Sequence, residues 1–190
     1  MLVEDRTPPE EFQDLIQYSA KNLSIIPRHD PTEEYLSQML ARFSRMEAVS
    51  SEASLPGSLS PKGDLSLFLS GFFAPHFKAN PPLLRQYISE GKGSYARQVF
   101  ELETLLRDPL ILEGLKEGFY VQLRICEILA HQFEDYRTVL DDVRLHIKSR
   151  QGPSERLLLL REWVDNPRTL HYLVKIRMLP PDLMESEHPK

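Results

Sequence analysis

The chain has 190 residues, 41% of them hydrophobic and 27% charged, a length that supports one well-buried core and is short for two independent domains. Its net charge of −5 argues against a general nucleic-acid binder, which carries a basic surplus. A single cysteine, Cys126, excludes an internal disulfide and suits a reducing compartment.

The first residues, MLVEDRTPPEEF, lack the basic and apolar regions of a secretory signal. The longest apolar run, Leu67 to Ala74, is interrupted by Ser70 and Gly71. It falls far short of the ~20 apolar residues that span a bilayer. The expectation is a cytoplasmic protein with no membrane segment.

Proline organises the helices by falling at their edges. Asp30-Pro31, Asn80-Pro81, Asp108-Pro109 and Asn166-Pro167 each place a side-chain acceptor before a residue that needs no donor, the pattern of a helix start. Glu33, three residues after Asp30, completes a capping-box arrangement there. Thr7-Pro8-Pro9-Glu10 predicts a first helix through Leu23, with Phe12, Leu15, Ile16 and Ala20 at helical spacing. A second helix, Pro31 to Val49, carries Tyr35, Met39, Phe43 and Met46 on one stripe, with Leu36 and Leu40 beside it. Residues 50–62, rich in Ser, Pro and Gly, read as a surface loop.

A central helix is predicted over about 64–74, capped by Asp64 and ended by Pro75. Leu65, Phe68, Leu69 and Phe72 recur at helical spacing, while Leu67 and Phe73 make other sides apolar, as in a helix buried within a bundle. Gly71 costs about 1 kcal/mol relative to alanine inside a helix, so close approach by a neighbouring backbone is expected there. Next comes a helix from Pro81 to about Glu90, interrupted at Gly91-Lys92-Gly93 and resuming to Arg107. If it runs through the glycines, Tyr87, Gly91 and Tyr95 share a face. The longest helix is predicted from Pro109 to about Tyr136, on Leu112, Leu115, Phe119, Leu123, Cys126, Ala130 and Phe133. Further helices follow at 138–150, 154–164 and 167–178, and the tail 183–190 reads as disordered. No strand-like alternation appears. The fold class is all-α: residues 1–190 as a single bundle of about seven to eight helices around the central one.

The segments EYLSQMLARF, GDLSLFLSGFF, the following Tyr/Gly stretch and the C-terminal REW…LPP resemble a family of uncharacterised bacterial helical proteins of about this length. The specific part of that likeness is a GD-x-x-LF-L-x-GFF core followed by YY-x-x-x-G-x-x-AY. Here Gln86-Tyr87 replaces the tyrosine pair, and Gly91-Lys92-Gly93 brings an extra glycine. The resemblance implies an all-helical fold in a bacterial cytosol and carries no activity with it.

Residues 63–95 are the candidate lining of a ligand pocket, with Asp64, Ser70, Tyr87 and Tyr95 as polar contributors. The plainer account is a core helix in which Asp64 caps and Ser70 bonds to its own backbone. Ser70, His76 and Asp64 have the residue types of a nucleophilic triad, but Ser70 lacks the strand–turn–helix setting of such a serine. No catalytic residue is assigned. Glu127 with His131, and Asp142 with His146, are i, i+4 pairs that suit either a metal site between facing helices or two surface ion pairs. Gly91-Lys92-Gly93-Ser94 lacks the spacing of a phosphate loop. The four-leucine run at 157–160 beside Trp163 suggests an interface, with Leu158, Leu159 and Trp163 as its candidates.

The first functional reading is a non-enzymatic protein acting through protein–protein contact or self-association, with no cofactor and no nucleic-acid or membrane partner. Its rival is a ligand- or metal-binding bundle, an enzyme among the options, with its pocket at 63–95.

Overall fold

The computed structural model describes residues 8–25, 28–44, 57–78, 80–149 and 160–161. Seven helices account for most of them: α1 (Pro8–Asn22), α2 (Asp30–Phe43), α3 (Pro61–Phe72), α4 (Ala74–Phe77), α5 (Pro81–Leu106), α6 (Glu113–His131) and α7 (Phe133–Ser149). Among the described residues there is no strand, and no helix is long and apolar enough to cross a membrane. The fold is an all-α bundle.

α3 is its axis. Nine of its residues are buried, from Gly63 and Asp64 to Phe72, and α5 and α7 pack against it. Phe68 stacks on Phe43 of α2 at 4.4 Å between ring centroids and on Phe72 at 5.1 Å, while Phe73 meets it edge-on. α1 closes the bundle against α2 and α7, through the predicted Phe12, Leu15, Ile16 and Ala20.

Two glycines let these helices approach. A Cβ on Gly71 would stand 2.7 Å from Leu140 Cβ and 3.1 Å from the Arg137 carbonyl, so α7 crosses α3 there, as the cost of a mid-helix glycine implied. At Gly91 a Cβ would stand 2.4 Å from the Phe133 ring and 3.1 Å from Ser66 Cβ. α5 therefore runs unbroken through Gly91-Lys92-Gly93, contrary to the predicted interruption: the helix keeps its ladder because Gly91 gains close packing.

Several boundaries differ from expectation. Asp30 does not cap α2; His29 does, its Nδ1 accepting the Thr32 N–H at 3.2 Å, and Asp30 lies in the first turn. Glu33 does not close a capping box either. It is buried, and its carboxylate takes Arg28 in a two-point contact at 2.9 and 2.7 Å. Ser60 rather than Asp64 caps α3, which begins at Pro61 and ends at Phe72; Pro75 lies in the first turn of α4. Asn80 caps α5 as expected, accepting from the Leu83 N–H. Asp108-Pro109 opens only a turn, Asp108 accepting from Leu110 N–H, and α6 starts at Glu113. The predicted helix through Tyr136 is divided at Gln132, where the chain turns and α7 leaves α6 to pack against α3 and α1.

Glu33 and Tyr136 illustrate opposite outcomes for buried polar groups. The Tyr136 hydroxyl is buried and makes no hydrogen bond to a described residue; burial pushes it up to about 12. Tyr136→Phe therefore removes no hydrogen bond to a described residue and should change unfolding free energy by no more than about 0.5 kcal/mol. Chemical denaturation of the two proteins checks it, and a loss above about 1.5 kcal/mol would show that the hydroxyl is bonded.

Candidate functional site

Among the described residues Asp64, like Glu33, is a carboxylate with 0% of its surface exposed. It lies in the first turn of α3, where its orientation is set by the Ser60 cap and by the neighbouring Gly63. A Cβ at Gly63 would meet the Tyr95 ring at 3.0 Å, so this glycine lets α5 bring Tyr95 against the start of α3. The Tyr95 hydroxyl donates to Asp64 Oδ1 at 2.7 Å. From α2, the Tyr35 hydroxyl lies 2.6 and 2.7 Å from the two carboxylate oxygens, and Arg42 donates to Oδ2 at 3.1 Å. Ser58 donates to Oδ2 at 2.7 Å.

The same residues tie down the chain before α3. Leu59 N–H donates to the Tyr35 hydroxyl at 2.9 Å, and Arg42 donates to the Gly57 carbonyl at 3.3 Å. The Arg42 guanidinium also lies over the Tyr35 ring, 5.3 Å from its centroid. The expected surface loop 50–62 is thus corrected at its end. Ser58 and Ser60 turn inward to serve Asp64 and the helix cap, and Pro61 and Lys62 are already helical.

Burial raises the Asp64 carboxyl above the ordinary carboxylate range; hydrogen bonds from Tyr35, Ser58 and Tyr95 and the charge of Arg42 oppose that rise. The same burial, followed by the nearby carboxylate, holds both tyrosine hydroxyls well above their ordinary value. It pushes the buried Cys126 thiol up to about 12, which makes it unreactive. Among the described residues four protein donors, Tyr35, Ser58, Arg42 and Tyr95, converge on the Asp64 carboxylate.

Of the four pocket candidates, the structure brings together Asp64 and Tyr95. Ser70 donates to the Leu67 carbonyl of its own helix, and Tyr87 is half-buried with its ring edge-on to Phe77 at 5.2 Å. Within residues 63–95, Gly63, Gly71 and Gly91 each stand in close contact with a neighbouring side chain. Asp64, Ser70 and His76 form no triad either, since Asp64 is taken by Tyr35, Tyr95, Arg42 and Ser58. Asp142 and His146 pair locally at 3.3 Å, and Glu127 pairs with Arg124 at 3.1 Å. His131 is exposed, and among the described residues no three metal-ligating side chains converge. Leu158, Leu159 and Trp163 lie outside the described residues; their neighbour Leu160 is buried.

Sequence reasoning missed Tyr35, Arg42 and Ser58 as partners of Asp64. Tyr35 and Arg42 are seven residues apart, two turns on one face of α2, and that spacing was available as a signal. Nothing local marks Ser58.

Tyr95→Phe deletes one donor to the carboxylate and is expected to cost about 1.5–3 kcal/mol, in contrast to Tyr136→Phe. Equal denaturation midpoints for the two variants would contradict the assigned bond.

The outer surface offers a different feature. α5 and α6 pack along one another as a hairpin whose far end carries exposed apolar side chains. Leu110 is 86% exposed, Leu112 71% and Phe100 70%, and Leu105, Leu115, Tyr120 and Val121 are exposed as well. Beside it, between the start of α2 and the outer side of α6, lies an open groove of about 490 Å³ bordered by His29, Pro31, Glu113, Lys116, Tyr120 and Arg124. Burial and the positive charge of Arg124 lower the His29 imidazole, consistent with its role as a neutral cap.

Comparison with protein-family models, with curated proteins and with solved structures found no match.

Proposed function

We propose that this protein is a non-enzymatic module that works through protein–protein contact, made by the far end of the α5–α6 hairpin. The observation that supports it is a core stripe that outruns the core. On α6, Ile125, Cys126, Ile128 and Leu129 are buried. Continued toward the N-terminus at the same spacing, that stripe reaches Val121, Gly118, Leu115 and Gly114, all exposed. With Leu110 and Leu112 at the tip, the exposed apolar surface is on the order of several hundred Å², the size at which patches on monomers mark interaction sites. The buried polar cluster fits this reading as a structural lock that fixes α2, α3 and α5 while the hairpin projects from them. A single buried cysteine leads us to place the contact in the cytoplasm.

Photo-crosslinking tests it. A photoreactive amino acid at Leu115, on the apolar surface, is compared with one at Glu34, exposed on α2, in the cells that naturally make the protein. The expected result is a protein adduct at Leu115 and none at Glu34. Absence of any protein adduct at Leu115 would overturn the reading.

A further inference from the structure

Independently of the hairpin, we infer that the seam between the start of α2 and the outer side of α6 is a proton-operated latch, closed while the His29 imidazole is neutral and released when it is protonated. His29 stands at the N-cap of α2, and one ring nitrogen, Nδ1, faces two groups of Thr32: the backbone N–H at 3.2 Å and the hydroxyl at 2.8 Å. The hydroxyl can donate or accept, but the N–H can only donate. Nδ1 must therefore keep its lone pair, which leaves the ring neutral with its proton on Nε2. Protonation fills that lone pair and sets one N–H against another. The first turn of α2 then loses its side-chain acceptor, and the Thr32 N–H keeps only the His29 carbonyl at 2.9 Å.

The same ring is a wall of the open groove. His29 and Pro31 border it from the start of α2, and Tyr120, Val121 and Arg124 border it from α6. One proton on His29 thus acts in two places. It removes the cap, and it places a second positive charge across the groove from Arg124, which the neutral ring does not repel.

The charges facing His29 are of both signs. On its own side Asp30 and Glu33 favour the imidazolium, but Glu33 is already engaged by Arg28 at 2.9 and 2.7 Å. From α6, Arg124 disfavours it; Lys116 and Glu113 border the groove as a pair with each other, beside Glu117 and the Tyr120 hydroxyl. Burial of the ring, followed by Arg124, outweighs the acidic groups and holds the imidazole below its ordinary value. The unfolded chain then takes up the proton first. The latch is fully closed above the ordinary histidine pKa of about 6.5 and is lost as pH falls through the lower folded value.

The test pairs melting with a nuclear magnetic resonance titration of the full chain. His29→Asn supplies a cap that does not titrate in this range, and every other group titrates alike in both proteins. The two melting temperatures should keep a constant difference from pH 8 to pH 7, and wild type should fall about 2–4 °C further behind by pH 5, the usual size of a lost cap in a chain of this length. A difference unchanged between pH 7 and pH 5 would overturn the inference. Of the six histidines, the ring signal absent from His29→Asn identifies His29. Its midpoint should lie below 6.5 and rise in Arg124→Gln; a midpoint at or above 6.5, or one that Arg124→Gln leaves in place, contradicts the latch. The backbone amide signals of Thr32 and of Tyr120 and Val121 should follow that midpoint together. If the Thr32 amide alone follows it, the proton acts on the cap without reaching α6, and the seam is not a latch.

Discussion

Asp64→Ala is expected to lower the unfolding free energy by about 3–5 kcal/mol, the usual cost of breaking a buried charge network from one side. The substitution leaves four groups in place and removes their common acceptor. Among the described residues the Arg42 guanidinium, whose side chain is 14% exposed, keeps only the Gly57 carbonyl and the Tyr35 ring. The Tyr35 and Tyr95 hydroxyls remain buried with no carboxylate to accept from them. Against a typical domain stability of about 5–15 kcal/mol, that loss puts the variant near its unfolding threshold. Chemical denaturation measures it, and a loss below about 1 kcal/mol would show that the cluster contributes little to holding the bundle together.

Asp64→Asn separates charge from shape and yields a pH test. Because burial raises the carboxyl above its ordinary value, the folded protein keeps a proton that the unfolded chain has already released. Stability from this group is therefore fullest below the ordinary carboxylate pKa of about 3.9 and declines as pH rises toward the folded value. Above that value it is level. Asparagine has no such titration, so the stability difference, wild type minus Asp64→Asn, should shrink as pH rises through that window. A difference that grew with pH would mean that Arg42 and the hydroxyl donors outweigh burial.

Gly91→Ala is the second large effect, expected to destabilise by about 2–3 kcal/mol despite alanine's better helix propensity. Its Cβ would lie 2.4 Å from two atoms of the Phe133 ring, and Phe133 is fully buried at the junction of α6 and α7. The Phe133 ring packs beside that of Tyr95, 6.3 Å between centroids, and Tyr95 in turn donates to Asp64. Gly93→Ala, two residues on in the same helix, meets nothing within 4 Å. It should stabilise by about 0.5–1 kcal/mol through propensity alone. Thermal unfolding of both variants gives the comparison, and a shared sign would show that propensity rather than packing sets the response at Gly91.

Phe12, Leu36, Phe68 and Cys126 were assigned to helix faces from spacing and are all buried. Periodicity reports which face of a helix is apolar, so the sequence by itself determined the all-α class, the buried central helix and the close approach at Gly71. Start signals were less informative. His29, Ser60 and Leu112 stand at the starts of helices that Asp30, Asp64 and Asp108 were expected to cap, because backbone geometry rather than residue type alone places a helix start. Asp64 shows why. Its type and position suit a cap, but Tyr35, Arg42 and Tyr95 arrive from 29, 22 and 31 residues away and claim it. Only the tertiary structure could decide that, since a hydrogen bond between distant segments leaves no local period. It also decided that Gly91 lies in an unbroken helix and that the stripe on α6 extends past the core. The spacing along a helix shows that a face is apolar; where the rest of the bundle ends determines whether that face is covered.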